Sequence, residues 1–395
     1  MSDNGQNRQD GQRDQGRDAQ NGQRIVVIGA GYAGLAAAAR AGRKRPVTLI
    51  APEERFVNRV RLHEISAGRA AHQPAIARVL RGRNVTHIRA RVTELDLAGR
   101  KVFTDGGPGG EGETIGYDTL VYALGSRTAW RRARGGADGA DGADAADEVP
   151  GAREHAYAME NAEELSERLR RPDDGTVAVV GGGATAIELA SEIAEAYPNR
   201  RVTIVGAGRV GGWFSARGRA IVRKNFDRLG VVVRENSEVT AVDSKGLMTA
   251  GGRIDTDIMI WAASVEVGPL AAESGLAVDE HGEALVDEYL RSVSHPEVYV
   301  AGDAAALTLP GMGRVRKGCV TAEPMGRYVG DALAAGRARR PFGFSFRLQC
   351  LSLGRNSGLL QLVTRHDVMT ERAYGGRVGK AVKSGIVWFI VTALR

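Results

Sequence analysis

RIVVIGAGYAGLAAAAR, residues 24–40, is the stretch on which the fold turns. Residues 25–28 are all apolar, as in a strand buried on both faces of a parallel sheet. Gly29, Gly31 and Gly34 then satisfy G-x-G-x-x-G, and an Ala-rich helix is predicted to about Arg43. The first glycine permits the tight turn, the second lets the backbone approach a pyrophosphate, and the third lets the helix pack against the strand. The helix start offers free N–H groups and partial positive charge to phosphate. Strand before and helix after are the context that gives the spacing meaning, so a dinucleotide site is predicted here.

Working outward, TVAVVGGGATAIELASEIAE at 176–195 repeats the pattern, with Gly181, Gly182, Gly183 and Ala186. Ala in the third position is tolerated at slightly wider packing. Each unit continues into a second strand (47–50 and 202–205), an alternating β-meander and a buried strand ending in small residues. The expectation is an α/β chain with two Rossmann-like dinucleotide-binding domains, not a solenoid. An acid is expected after each second strand, to bind a ribose. Ala51 follows the first, leaving Glu53 as the nearest candidate; Gly206 follows the second, with Arg209 beyond it. An acid there would repel a 2′-phosphate, so NADH and NADPH both stay open.

At 395 residues, two or three domains are expected. Residues 1–23 lack an apolar core and read as a disordered tail, and 131–150 as a flexible Gly/Ala/Asp loop. The remainder divides into 24–130 with 265–340, 151–264, and a C-terminal domain at 341–395. The net charge of +7 comes with no nucleic-acid-binding signature. The two cysteines, Cys319 and Cys350, form no C-x-x-C, which argues against a metal site and a dithiol centre. The histidines are scattered, and each, His63 included, reads as a surface or packing residue. In the last helix Val378, Val382, Ile386, Phe389, Ile390 and Ala393 are expected on one face, with Arg377, Lys380 and Lys383 towards others. Such a basic amphipathic helix fits an anionic membrane surface, or packs on the C-terminal sheet with Trp388 in the core.

The two glycine turns, YDTLVYALGS at 117–126 and VYVAGDAA at 298–305 together resemble the two-dinucleotide-binding-domain flavoproteins. These are the pyridine nucleotide-disulphide oxidoreductase superfamily, here without its redox dithiol. Within it the chain is most similar to type II NADH dehydrogenases and apoptosis-inducing-factor-like reductases. The resemblance covers about 24–340. It implies a glutathione-reductase-like fold with a small α+β C-terminal domain, FAD in the first unit and NAD(P)H in the second. FAD would be held by Gly29, Gly31, Tyr32, Ala33, Gly34, Glu53, Ala123, Gly125, Gly302, Asp303 and Ala322. NAD(P)H would meet Gly181, Gly183, Ala184, Ala186, Glu188 and Arg209, with Glu188 near the nicotinamide. The helix at 321–336 would aim its start at the flavin. In type II dehydrogenases that start carries paired Gln; here Glu323 stands in their place, as a proton donor to a reduced acceptor or a simple helix acid. The implied activity is an FAD-dependent NAD(P)H oxidoreductase passing electrons to a quinone-like acceptor, with a ferredoxin reductase or redox sensor as alternatives. The implied place is the cytoplasm, peripheral on the membrane face through the last helix, with room for a homodimer.

Overall fold

The computed structural model describes residues 23–132, 147–172 and 175–394; the expected tail, except Gln23, and most of the 131–150 loop lie outside them. Ile25–Ile28 (β1), Val47–Ile50 (β2), Val85–Ile88 (β3) and Thr119–Tyr122 (β4) form a parallel sheet in the order β3-β2-β1-β4. Val298–Val300 closes it beyond β4. Every residue of β1 and β4 is buried, which is why both read as unbroken apolar runs. Between β4 and Val298 the chain builds a second sheet. Thr176–Val180 (β5), Arg201–Val205 (β6), Val232–Arg234 (β7) and Ile258–Trp261 (β8) lie in the matching order β7-β6-β5-β8, with Ala156–Tyr157 outside β8. Each sheet carries a three-stranded antiparallel meander before its last-named strand. The duplication read from the glycine turns is therefore a duplication of topology.

Six helices position the site: Tyr32–Ala41 (α1), Leu62–Ser66 (α2), Ala184–Ala196 (α3), Ala216–Leu229 (α4), Cys319–Ala335 (α5) and Gly376–Ala393 (α6). α1 and α5 touch backbone to backbone. A Cβ at Gly326 would stand 2.1 Å from the Ala33 carbonyl oxygen, and one at Gly330 2.6 Å from that of Ala37. Leu348–Ser352 (β9), Gly358–Val363 (β10) and Met369–Tyr374 (β11) make an antiparallel sheet. Leu351, Leu359 and Ala373 extend the core of the second unit, whereas Ile390 of α6 and Leu394 just past its end join that of the first.

α6 corrects one expectation. It crosses β10 at a glycine pair: a Cβ at Gly379 would lie 2.3 Å from the Gly358 carbonyl oxygen. That contact sets the helix rotation, so Gly379, Lys383, Val387, Ile390 and Leu394 turn inward at helical spacing. Val378 (60% exposed), Trp388 (68%) and Phe389 (61%) face outward instead of joining a core. Lys383, expected on an outer face, is drawn into the protein.

Candidate functional site: two glycine cradles and a buried charged junction

The first cradle is made of backbone. Gly29 has φ +93°, and a Cβ there would lie 2.4 Å from the Ala123 carbonyl oxygen. A Cβ at Gly34 would lie 1.9 Å from the carbonyl oxygen of Gly29. At Gly31, Gly125 and Gly318 a Cβ would meet nothing within 4 Å among the described residues. Two glycines are thus required by the close turn, and three face open space at the strand ends and the start of α5. Gly302 (φ +84°) closes the group: its Cβ would stand 3.2 Å from that of Ala33 and 3.6 Å from that of Ala322. Asp303 accepts hydrogen bonds from Ser126 Oγ (2.7 Å) and the Gly318 N–H (3.1 Å), tying the segment after β4 to the start of α5. Tyr32 donates to Asn58 Oδ1 at 2.6 Å, and burial holds its phenol well above the ordinary range. Glu53 is exposed just past β2. These residues fit a dinucleotide: an N–H-rich helix start, room before it, and a carboxylate able to accept from sugar hydroxyls. Asp303→Ala is expected to weaken flavin retention about tenfold or more, read as flavin released on dialysis.

The second cradle repeats this geometry. Gly181 has φ +132°, with a Cβ position 2.4 Å from the Ala262 carbonyl oxygen, and Gly183 faces open space. Ala186 is fully buried where the helix meets the sheet, and Ala184 is exposed beside Gly183. Arg209 is exposed beyond β6.

Glu188, one turn into α3, is 7% exposed and gathers three elements from elsewhere. Its Oε1 accepts from the Ser352 N–H of β9 (2.8 Å) and lies 3.0 Å from Lys383 Nζ of α6. Its Oε2 lies 3.7 Å from His63 Nδ1 of α2, an electrostatic contact longer than a hydrogen bond. Burial works to raise the Glu188 carboxyl, but Lys383, His63 and the Ser352 amide together hold it below the ordinary range. Burial likewise opposes charge on Lys383, and Glu188 overcomes it, so the ammonium is held above its usual range. His63 is 2% exposed; burial pushes its imidazole down against the pull of Glu188, and its Nε2 has no hydrogen-bond partner among the described residues. The thiols of Cys319 and Cys350 border the same charges, and burial pushes Cys319 up to about 11, far from a reactive thiolate.

The structure thus brings Glu188 together with Lys383 and His63, not with Glu323. Glu323 is 5% exposed on α5; burial raises its carboxyl, and its charged neighbours are Arg327, at 3.6 Å, and Arg40. Sequence reasoning missed His63 and Lys383. Only Lys383 left a trace, a cation at i, i+4, i+7 and i+11 with Gly379, Ile386 and Ile390 on the buried stripe.

The family model for pyridine nucleotide-disulphide oxidoreductases matches residues 23–326, through both cradles and into α5. The NADH dehydrogenase-like protein Rv1812c of Mycobacterium tuberculosis is 28% identical over 326 residues, covering 78% of this chain and 79% of that protein. The type II NADH:quinone oxidoreductase Ndh of the same organism is 28% identical over 378 residues, covering 86% and 79%. Among solved structures, the sulfide:quinone oxidoreductase of Aquifex aeolicus superposes with a TM-score of 0.75 at 15% identity, covering 94% of this chain and 92% of that one, a likeness of fold. NDH2 of Plasmodium falciparum, solved with NADH, gives 0.73 at 14%, covering 94% and 96%. With two cradles of matching geometry and a family model spanning both, the chain belongs to the pyridine nucleotide-disulphide oxidoreductase family and is an oxidoreductase that binds FAD and NAD(P)H.

Proposed function

We propose that this chain oxidises NAD(P)H through FAD held in the first cradle and passes the electrons to a quinone-like small acceptor. The observation that carries the reading is the buried Glu188–Lys383–His63 group, built by the first unit, the helix of the second cradle and the C-terminal helix α6. FAD, when bound, supplies the hydride acceptor and the electron relay. The chain's residues do the rest. The cradle glycines orient two nucleotides, and the start of α5 offers partial positive charge to a negatively charged ring. Reduction of a quinone consumes two protons. Lys383 Nζ carries protons at the junction beside the His63 imidazole, and Glu188 keeps the lysine charged. The names of the relatives support a quinone. Anaerobic stopped-flow mixing tests the reading. Flavin bleaching by NAD(P)H, then reoxidation by a water-soluble quinone within each turnover, is expected. Fast transfer to a ferredoxin with sluggish quinone kinetics would replace the acceptor.

The outer face of α6 supports peripheral attachment to the cytoplasmic face of a membrane. Trp388 and Phe389 are exposed on a helix that also carries Arg377 and Lys380. No helix among the described residues is long and apolar enough to cross a membrane. Replacing both aromatics by Ser is expected to cut co-sedimentation with anionic phospholipid vesicles about tenfold or more, given the apolar area each ring would bury. Reduction of a soluble quinone should be unchanged.

A further inference from the structure

The second cradle carries a feature that its glycines do not require. β6 ends at Val205 and Gly206 follows. A Cβ at Gly206 would stand 3.1 Å from the Gly208 carbonyl oxygen and 3.3 Å from Val210 Cγ2, so a carboxylate side chain has little room there. An acid at this point grips the ribose diol of NADH and repels a 2′-phosphate. Past the same strand end lies a cavity of about 270 Å³, lined by Arg209, Arg219, Arg223, Phe226 and Glu235 among others. Glu235 is engaged: it accepts the Val210 N–H at 3.0 Å and lies 3.9 Å from Arg223. Arg219 donates to the Phe214 carbonyl, which orients its guanidinium and leaves the charge uncompensated. Arg209 makes no side-chain hydrogen bond or ion pair among the described residues. Three guanidiniums against one carboxylate leave +2 around the cavity. A phosphate monoester brings roughly −1.5 to −2 at neutral pH and takes planar guanidinium donors well.

We propose that this chain takes NADPH in preference to NADH, holding the 2′-phosphate in the arginine-lined cavity, with Arg209 as the specificity-determining residue. The inference rests on reading the second cradle as the nicotinamide-dinucleotide site. It departs from relatives whose names specify NADH, and the reason is local: no acid for the ribose, and an unpaired arginine beside the place one would occupy.

The test uses the flavin-loaded protein and two readouts. Calorimetric titration compares adenosine 2′,5′-bisphosphate with 5′-AMP, and anaerobic flavin reduction compares NADPH with NADH. The bisphosphate should bind about tenfold tighter or more, as a charge-assisted hydrogen bond warrants, with the advantage shrinking as salt rises. Arg209→Gln should remove most of that advantage, and Arg209→Lys should restore part of it. Equal affinity for the two adenosine probes, faster reduction by NADH, or an Arg209→Gln variant with unchanged preference would each overturn the proposal. A flavin that neither dinucleotide reduces would instead overturn the function on which it rests.

Discussion

A Gly31→Glu variant is expected to purify folded but colourless. Gly31 caps α1 in extended backbone (φ −73°, ψ −170°), a conformation open to any residue, and a Cβ there touches nothing within 4 Å among the described residues. The fold therefore tolerates the side chain. A pyrophosphate does not: the new carboxylate would occupy the space before the helix start and set a second negative charge against the phosphates in the same field. Bound flavin, read as absorbance near 450 nm per protein, should fall by about a hundredfold in affinity terms, equivalent to two charge-assisted hydrogen bonds lost. The far-UV circular dichroism spectrum should persist. The thermal midpoint should fall only by what the ligand contributes through mass action. Gly34→Val is the contrast. Its Cβ would sit 1.9 Å from the Gly29 carbonyl oxygen, so α1 must leave the sheet and both colour and fold should suffer. Stoichiometric flavin in Gly31→Glu would place the dinucleotide somewhere other than this cradle.

The contrast between those glycines explains what could be read from the chain alone. The positive φ at Gly29 and Gly181 and the clash of a Gly34 Cβ with the Gly29 carbonyl belong to one strand–turn–helix unit each, and the Ala123 and Ala262 carbonyls at the neighbouring strand ends add to them. Spacing suffices to expose them. The alternating meanders and all-apolar strands follow the same logic, because burial on one or two faces writes itself directly into the side-chain pattern. The junction around Glu188 obeys no such period. His63, Ser352 and Lys383 come from three distant segments, and nothing near any of them names its partner. The rotation of α6 was equally hidden. Apolar residues lie around most of its circumference from Gly385 to Val391, so periodicity does not select a face. The Gly358–Gly379 backbone contact does, and with it decides that Lys383 is inside and Trp388 outside. Where a buried charge meets its partner through tertiary packing, only the assembled fold shows it.

Lys383→Met is the second large effect, and its pH dependence identifies the cause. The substitution leaves Glu188 buried with no cation in contact except His63, whose own protonation burial opposes. Breaking a buried pair from one side costs roughly 3–5 kcal/mol, so the denaturation midpoint should drop markedly. In the native protein the folded-state ionisations of Glu188 and His63 both lie below their ordinary values. Their stabilisation is therefore present above the unfolded values, about 6.5 for His and 4.3 for Glu, and is lost as pH falls below them. Lys383 is raised, so its share holds below about 10.4 and fades only in stronger alkali. The native protein should accordingly hold its stability from neutrality to mild alkali and lose it in acid. In the variant burial acts on Glu188 without the ammonium, its carboxyl rises, and the sign of its share reverses: the Glu188 contribution should now be lost as pH climbs above the unfolded value of about 4.3. Glu188→Gln added to Lys383→Met should recover part of the loss, because the uncompensated charge is gone. Function separates the same way. NAD(P)H should still bleach the flavin, whereas quinone turnover should fall by two orders of magnitude or so if Lys383 Nζ donates the proton that reduction requires. A variant with native pH dependence and native quinone turnover would show that the ammonium neither neutralises Glu188 nor serves the acceptor.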